Sequence, residues 1–246
     1  MPRFKLTIEY DGSPFVGWQR QDNGLSVQAA IEAAAKSYCQ TDILVQGAGR
    51  TDAGVHALGQ VAHLDLPRDD PPEVVANALN AHLRPHPIAI LKAERVDDRF
   101  HARFLAIERG YVYRIVNRRA PAVLDINRAW WVLPALDAET MHRGAQALVG
   151  RQDFSSFRAI VCQADSPIKT LDEIAVARDG DVIEVTVRAR SFLHHQVRNI
   201  VGTLKYVGEG KWGPGDVKRV LEACDRSVAG PTAPPEGLYL THVRYP

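Results

Sequence analysis

With 246 residues, 46% of them hydrophobic, the chain can fill the core of one large domain or of two smaller halves. No run reaches the roughly eighteen consecutive apolar residues that a membrane span needs, and the N-terminus enters a strand-like alternation instead of an apolar leader, so a cytoplasmic protein is expected. The balance of 30 basic and 29 acidic residues leaves a net charge of +1, which by itself points to no polyanionic partner; three widely spaced cysteines, Cys39, Cys162 and Cys224, exclude a CxxC redox pair, a zinc ribbon and a closed disulfide framework.

The chain opens with Phe4, Leu6, Ile8 and Tyr10 alternating with Lys5, Thr7, Glu9 and Asp11, the period of a half-buried strand. DGSP breaks it. From Ser26, a good N-cap, the residues Val27, Ala30, Ile31, Ala34 and Tyr38 fall at helical spacing. A short strand is expected over 43–46, a strand near 60–66 after the irregular GAGRTDAG, a helix near 72–82 behind the Pro-Pro pair, and a strand near 87–96. The order is βαββαβ.

Past a seam near residue 105, GYVYRIVN and the Trp130-Trp131 segment read as strands, and Met141, Ala145, Leu148 and Val149 mark a helix opened by Asp137. Strands follow near 168–178 and 181–190, then helical segments near 195–207 and 215–225, and a last strand, LYLTHVRY. With the first of these strands set aside and the two late helices counted as one, βαββαβ recurs. The fold class expected is α/β, in the α+β sense: two ferredoxin-like halves, 1–105 and 106–246, sharing an extended, mainly antiparallel mixed sheet around a central catalytic cleft.

Charge is distributed unevenly. Between residues 92 and 119, Lys92, Arg95, Arg99, Arg103, Arg109, Arg114, Arg118 and Arg119 face only four acids, Glu94, Asp97, Asp98 and Glu108. Such a stretch suits either a phosphate-binding groove or a solvated strand pair.

The densest irregular segment is Gly47-Ala48-Gly49-Arg50-Thr51-Asp52-Ala53-Gly54-Val55-His56, three glycines, an arginine and a carboxylate between two strands. Glycines let a backbone turn sharply and approach a ligand, so a side chain can be held out at a sheet edge. A dinucleotide site is excluded because Asp52 stands where GxGxxG needs its third glycine, and no GK[ST] follows for a phosphate loop. A turn-capping Asp is the commoner use of such a loop. Arg50 beside Asp52 shifts the balance toward a site. His56, His63, His194 and His195 show no zinc-like spacing with Cys or carboxylate partners, so no metal is expected.

The run AGRTDAGVHALGQVAHL resembles the catalytic motif of the TruA family of tRNA pseudouridine synthases. YDGSPFVGWQRQ at the N-terminus, DDRFHARF at 97–104, QDFSSFRA at 152–159, FLHHQVRNIVG at 192–202 and TAPPEGLYL at 232–240 resemble the family's other blocks in the same order. The resemblance covers essentially the whole chain. It implies an isomerase that converts uridine to pseudouridine at positions 38, 39 and 40 of the tRNA anticodon stem-loop, works as a homodimer, uses no cofactor, and has neither DNA nor a membrane as partner.

Carried over by motif, the resemblance makes Asp52 the catalytic carboxylate and Arg50 the basic residue that displaces and holds the target nucleotide. Tyr111, in RGYVY, becomes the aromatic on which the target base stacks. Arg198, in HHQVRNIVG, corresponds to the basic partner of the catalytic Asp, and Leu238, in GLYL, to the apolar residue closing the pocket. Arg103, in DDRFHARF, is a further substrate contact. Gly110 departs from the pattern, since a second basic residue often precedes the tyrosine. Without the resemblance, Tyr111 would be read as a core tyrosine and Arg198 as a surface arginine beside the stripe Val197, Ile200, Val201, Leu204 and Val207. Two readings from other classes fit less well. A non-catalytic tRNA-binding module or chaperone has no need of Asp52 beside Arg50, and an Asp-nucleophile hydrolase of small molecules should show a second acid, base or metal ligand close by in sequence.

Overall fold

The computed structural model describes residues 1–160, 162 and 164–246. They form two compact α/β units, one of residues 1–107 and 239–246, the other of residues 108–238. No helix among the described residues is long and apolar enough to cross a membrane.

In the first unit, strand β1 (Arg3–Tyr10) buries Phe4, Leu6, Ile8 and Tyr10 on one face, as its alternation requires. Helix α1 (Val27–Cys39) begins where the Ser26 hydroxyl accepts the Ala29 N–H, and it buries Val27, Ala30, Ile31, Ala34 and Ala35. Strand β2 (Gln46–Gly47) is shorter than the expected 43–46. The N–H of Val45 donates to the carboxylate of Glu32 (3.0 Å) and its carbonyl accepts from Gln28 (3.0 Å), so α1 side chains satisfy the main chain that a strand partner would otherwise satisfy. Strand β3 (His56–Asp65) starts four residues before the expected position. Helix α2 (Pro72–Leu83) buries Val75, Leu79 and Leu83, and β4 (Ile88–Val96) returns beside β1. There the Asn80 amide bonds both N–H and C=O of Ile90, next to a register shift in the β1–β4 ladder.

The second unit contains β5 (Glu108–Asn117), β6 (Trp130–Val132), α3 (Ala138–Ala145), β7 (Gly150–Asp153), β8 (Ile168–Asp179), β9 (Val182–Ala189), α4 (Gln196–Gly208) and α5 (Gly215–Ala223). Its strands run in the order β5-β9-β8-β7, all antiparallel, with β6 parallel to the end of β5. Asp137 caps α3 through the Thr140 N–H (3.0 Å), as expected. That helix ends earlier than its apolar spacing suggests: Leu148 lies in a 3₁₀ turn, Gln146–Leu148, and Val149 outside it. The edge strand β7, GRQD, carries no apolar alternation and was invisible to periodicity. In α4 the stripe Val197, Ile200, Val201, Leu204 and Val207 is buried.

The last strand, β10 (Leu238–Arg244), returns to the first unit and runs parallel to the start of β3, pairing Tyr239 with His56 and Leu240 with Ala57. The first unit's order is therefore β4-β1-β3-β10, with β2 antiparallel to the far end of β3. Pairing at His56 and Ala57, with β10 on one side and β1 on the other, extends β3 back to the irregular loop.

His63 on β3 is buried, and its Nδ1 accepts the N–H of Ala102 (3.2 Å). Burial, together with the nearby charges of Arg3 and His101, lowers its pKa from 6.5 to about 4. The unfolded chain therefore binds a proton between those values that the folded chain refuses. The stability is whole above pH 6.5 and is eroded as pH falls toward 4, by about 3 kcal/mol in the limit. Urea unfolding of wild type and His63→Gln from pH 7 to 4.5 should show an acid loss about 2 kcal/mol smaller in the variant; equal slopes would refute the assignment.

Candidate active site

The loop before β3 is held by several bonds to its main chain. Ala48 donates to the carbonyl of Val61 (2.7 Å), and the buried amide of Gln60 donates to the carbonyl of Gly49 (2.8 Å). Thr51 is buried, its hydroxyl 2.7 Å from the Tyr10 hydroxyl and its carbonyl accepting the Trp18 N–H (3.0 Å). Val55 then donates to the carbonyl of Asp52 (3.1 Å), closing the turn Asp52–Val55. Gly54, its third residue, has φ +78, a left-handed conformation that glycine adopts without steric cost.

Gly17 fixes the height of this turn from below. A Cβ there would lie 2.7 Å from the Thr51 carbonyl oxygen and 3.2 Å from Ala53 N, and its φ is +112. The adjoining Gly12 N–H donates to His56 Nδ1 (3.0 Å), and the His56 ring stacks on Tyr239 at 4.6 Å. His56 is thus used in packing the loop's exit. Asp52 ends half-buried on a turn tied at both ends, with Arg50 exposed two residues before it. A carboxylate so held is able to act as a nucleophile or as a base without reorganising its own loop. Arg103, also in this unit, is exposed on the turn after β4, its guanidinium 5.7 Å from the Phe104 ring; the neighbouring Ala102 packs with Ala48 and Val61.

The other three expected residues stand in the second unit. Tyr111, on β5, is buried and meets Phe192 edge-on at 5.2 Å. Two residues on, Tyr113 is wholly buried, donates its hydroxyl to the Pro234 carbonyl (2.8 Å), and lies against Gly237. Burial raises the pKa of that phenol well above 10, so it stays a donor. Arg198, half-buried in α4, donates Nε to the carbonyl of Ala233 (2.8 Å), whose N–H returns to the carbonyl of Arg198 (3.1 Å). Leu238 is buried at the start of β10. One segment, 233–238, thus touches Arg198, supports the strand of Tyr111 and ends in Leu238.

The profile of the tRNA pseudouridine synthase family matches residues 6–105 and 145–246. The chain belongs to this family. Over its full length it is 62% identical to tRNA pseudouridine synthase A of Paramagnetospirillum magneticum, of which it covers 96%. It is 60% identical to the protein of the same name from Parvibaculum lavamentivorans, covering all of it, and 61% identical to that from Rhodospirillum rubrum, covering 88%.

In this pseudouridine synthase, the sequence assigned no loop-holding part to Gly17, Tyr10 or Thr51. Thr51 stood inside the motif run, and Tyr10 and Gly17 stood in the block YDGSPFVGWQRQ, without a sign that they hold the loop. In the basic stretch charges are paired, as the solvated-strand alternative expects. Lys92 pairs with Glu94, Arg95 with Asp69, Arg99 with Asp97, Arg114 with Glu184 and Arg118 with Asp181, as charged strands in solvent do.

Gly17→Ala should displace the Thr51–Ala53 backbone and with it Asp52. A shift on the order of 1 Å at a reacting group costs about a hundredfold in rate. Single-turnover assays should show a fall of tenfold or more with tRNA affinity nearly unchanged, and a wild-type rate would show that the loop does not depend on this contact.

Proposed function

We propose that this tRNA pseudouridine synthase isomerises uridines 38, 39 and 40 of the tRNA anticodon stem-loop, with Asp52 as its catalytic carboxylate. Full-length identity near 60% to several proteins named tRNA pseudouridine synthase A is the observation that carries the reaction and the substrate class. The family resemblance of the motif blocks supports the positions and the residue roles.

The reaction breaks the bond from N1 to C1′, turns the uracil, and rejoins it through C5, so no atom is gained or lost. No cofactor is called for. The enzyme needs a base drawn out of the stack, a pocket that keeps the detached uracil, and a carboxylate near the reacting carbons. Asp52 supplies the carboxylate, by attack at C1′ or C6 or by removing the C2′ proton. Tyr111 offers a face for the base, Leu238 closes the apolar wall, and Arg198 is the cation that partners Asp52 and the substrate. Arg50 holds the displaced nucleotide, and Arg103 adds a phosphate contact. The enzyme works in the cytoplasm.

Asp52→Asn is expected to abolish pseudouridine formation, because the amide is neither a useful nucleophile at carbon nor a base near neutral pH. Affinity for tRNA rests on many phosphate contacts and should change by less than about tenfold. Tritium release from C5-labelled uridine in tRNA, beside filter binding, reads both. Substantial turnover would sink the catalytic role, and joint loss of turnover and binding would make Asp52 a structural residue of its loop. Mass spectrometry of the product tRNA should place the modification at 38, 39 and 40.

The active species proposed is a homodimer, in which two copies add their phosphate contacts on one tRNA despite a net charge of only +1 per chain. Light scattering at working concentration should give twice 27.2 kDa. A fully active monomer would defeat this.

A further inference from the structure

Behind Arg198 lies a basic residue that no motif singled out. Arg226 sits in the short 3₁₀ turn Arg226–Val228, after α5. Among the described residues its guanidinium makes three hydrogen bonds, all to neutral oxygens and none to a carboxylate: Nη1 to the Gly230 carbonyl (2.9 Å), and Nη2 to Asn199 Oδ1 (3.2 Å) and to Thr232 Oγ1 (3.1 Å). Asn199 and Thr232 are themselves bonded (2.7 Å), and the Asn199 amide is oriented by donating to the Phe157 carbonyl (2.9 Å). Thr203 accepts the Gly230 N–H (3.0 Å) and donates to the Asn199 carbonyl (2.9 Å). The segment lies so close to α4 that a Cβ on Gly202 would fall 1.6 Å from the Pro231 oxygen.

We propose that Arg226 is a positioning residue for the isomerisation: it locks segment 230–233 onto α4 so that Ala233 fixes the guanidinium of Arg198. The proposal rests on the reading of Arg198 as a substrate-binding residue. Ala233 grips Arg198 twice, by its carbonyl on Nε and by its N–H on the main chain of Arg198. With Nε engaged, the guanidinium plane cannot turn about its stem without losing this part-buried bond, and the other nitrogens keep one direction. Ala233 is placed in turn by Thr232, which hangs on Arg226 and Asn199. The planar fork of an arginine spans these three acceptors at once; the ammonium of a lysine, a point donor on a flexible stem, does not.

The same arrangement would serve a purely structural lock or a phosphate contact, and the three differ in what they move. Arg226→Met should slow single-turnover pseudouridine formation about tenfold with tRNA Kd within about threefold, and Arg226→Lys should not restore the rate. In an Arg198→Met background the same change should cost less than about twofold, since the residue it acts through is gone. Thr232→Val, which removes the shared hydroxyl and keeps the shape, should reproduce the slowing if Arg226→Met folds poorly. A wild-type rate in both Arg226→Met and Thr232→Val, a loss confined to Kd and rescued by lysine, or an undiminished tenfold loss in the Arg198→Met background would each overturn the proposal. A wild-type rate in Arg198→Met alone would overturn the reading of Arg198, and the positioning role with it.

Discussion

The approach of Gly17 to the backbone of Thr51–Ala53 is the constraint on which the candidate site depends most. It leaves no room for a Cβ, so the loop carrying Asp52 rests on main chain, which has no rotamers to relax. The bonds around it follow from that seat. Tyr10 reaches the Thr51 hydroxyl from β1, Trp18 reaches the Thr51 carbonyl from the segment after Gly17, and Gln60 reaches back from β3 to Gly49. Three separate stretches of chain therefore agree on the position of one turn. In its proposed role, a carboxylate delivered this way needs little reorganisation at the moment of reaction, which is where enzymes gain most from rigidity.

The second unit solves a similar problem with polar side chains. Its segment 226–238 has little regular structure, so its main-chain groups must find partners elsewhere. They find them on α4, on β5 and on the segment's own Arg226: Gly230 on Thr203 and Arg226, Ala233 on Arg198, Pro234 on Tyr113. The partners lie beside the residues expected to meet the substrate. Satisfying the segment and orienting Arg198 are one event, and a change in either is felt by the other.

Much of this was legible in the sequence where a single period or cap dominates. The alternation of Phe4, Leu6, Ile8 and Tyr10 gave β1, and Ser26 with its apolar stripe gave α1, because burial of one face decides those elements locally. Failures fall where a side chain from another element takes over the backbone. Residues 43–45 have strand-like composition, but Gln28 and Glu32 occupy the N–H and C=O of Val45. Strand β7 has no apolar alternation at all and exists because β8 offers it an edge. Asp52 stood out as a candidate because its chemistry and its turn residues share one short run. Arg226 did not, since a lone arginine among turn residues looks the same whether it faces water or three oxygens of the protein.

The electrostatics show why composition was a poor guide to the partner. A net charge of +1 conceals a stretch rich in arginine, and the structure pairs Arg95, Arg99, Arg114 and Arg118 with nearby acids at the surface. Such exposed pairs contribute only about 0–1 kcal/mol each, because water screens them and two long side chains must be held still. A phosphate that releases counterions on contact competes easily with a partner so weakly held. Ion pairing in the unbound protein is therefore compatible with a basic surface for tRNA. The near-equal numbers of acidic and basic residues keep the free chain near neutrality, which limits indiscriminate binding to other polyanions. Weak pairs of this kind fix no geometry, in contrast to the turn of Asp52 within the first unit and the clamped Arg198 within the second.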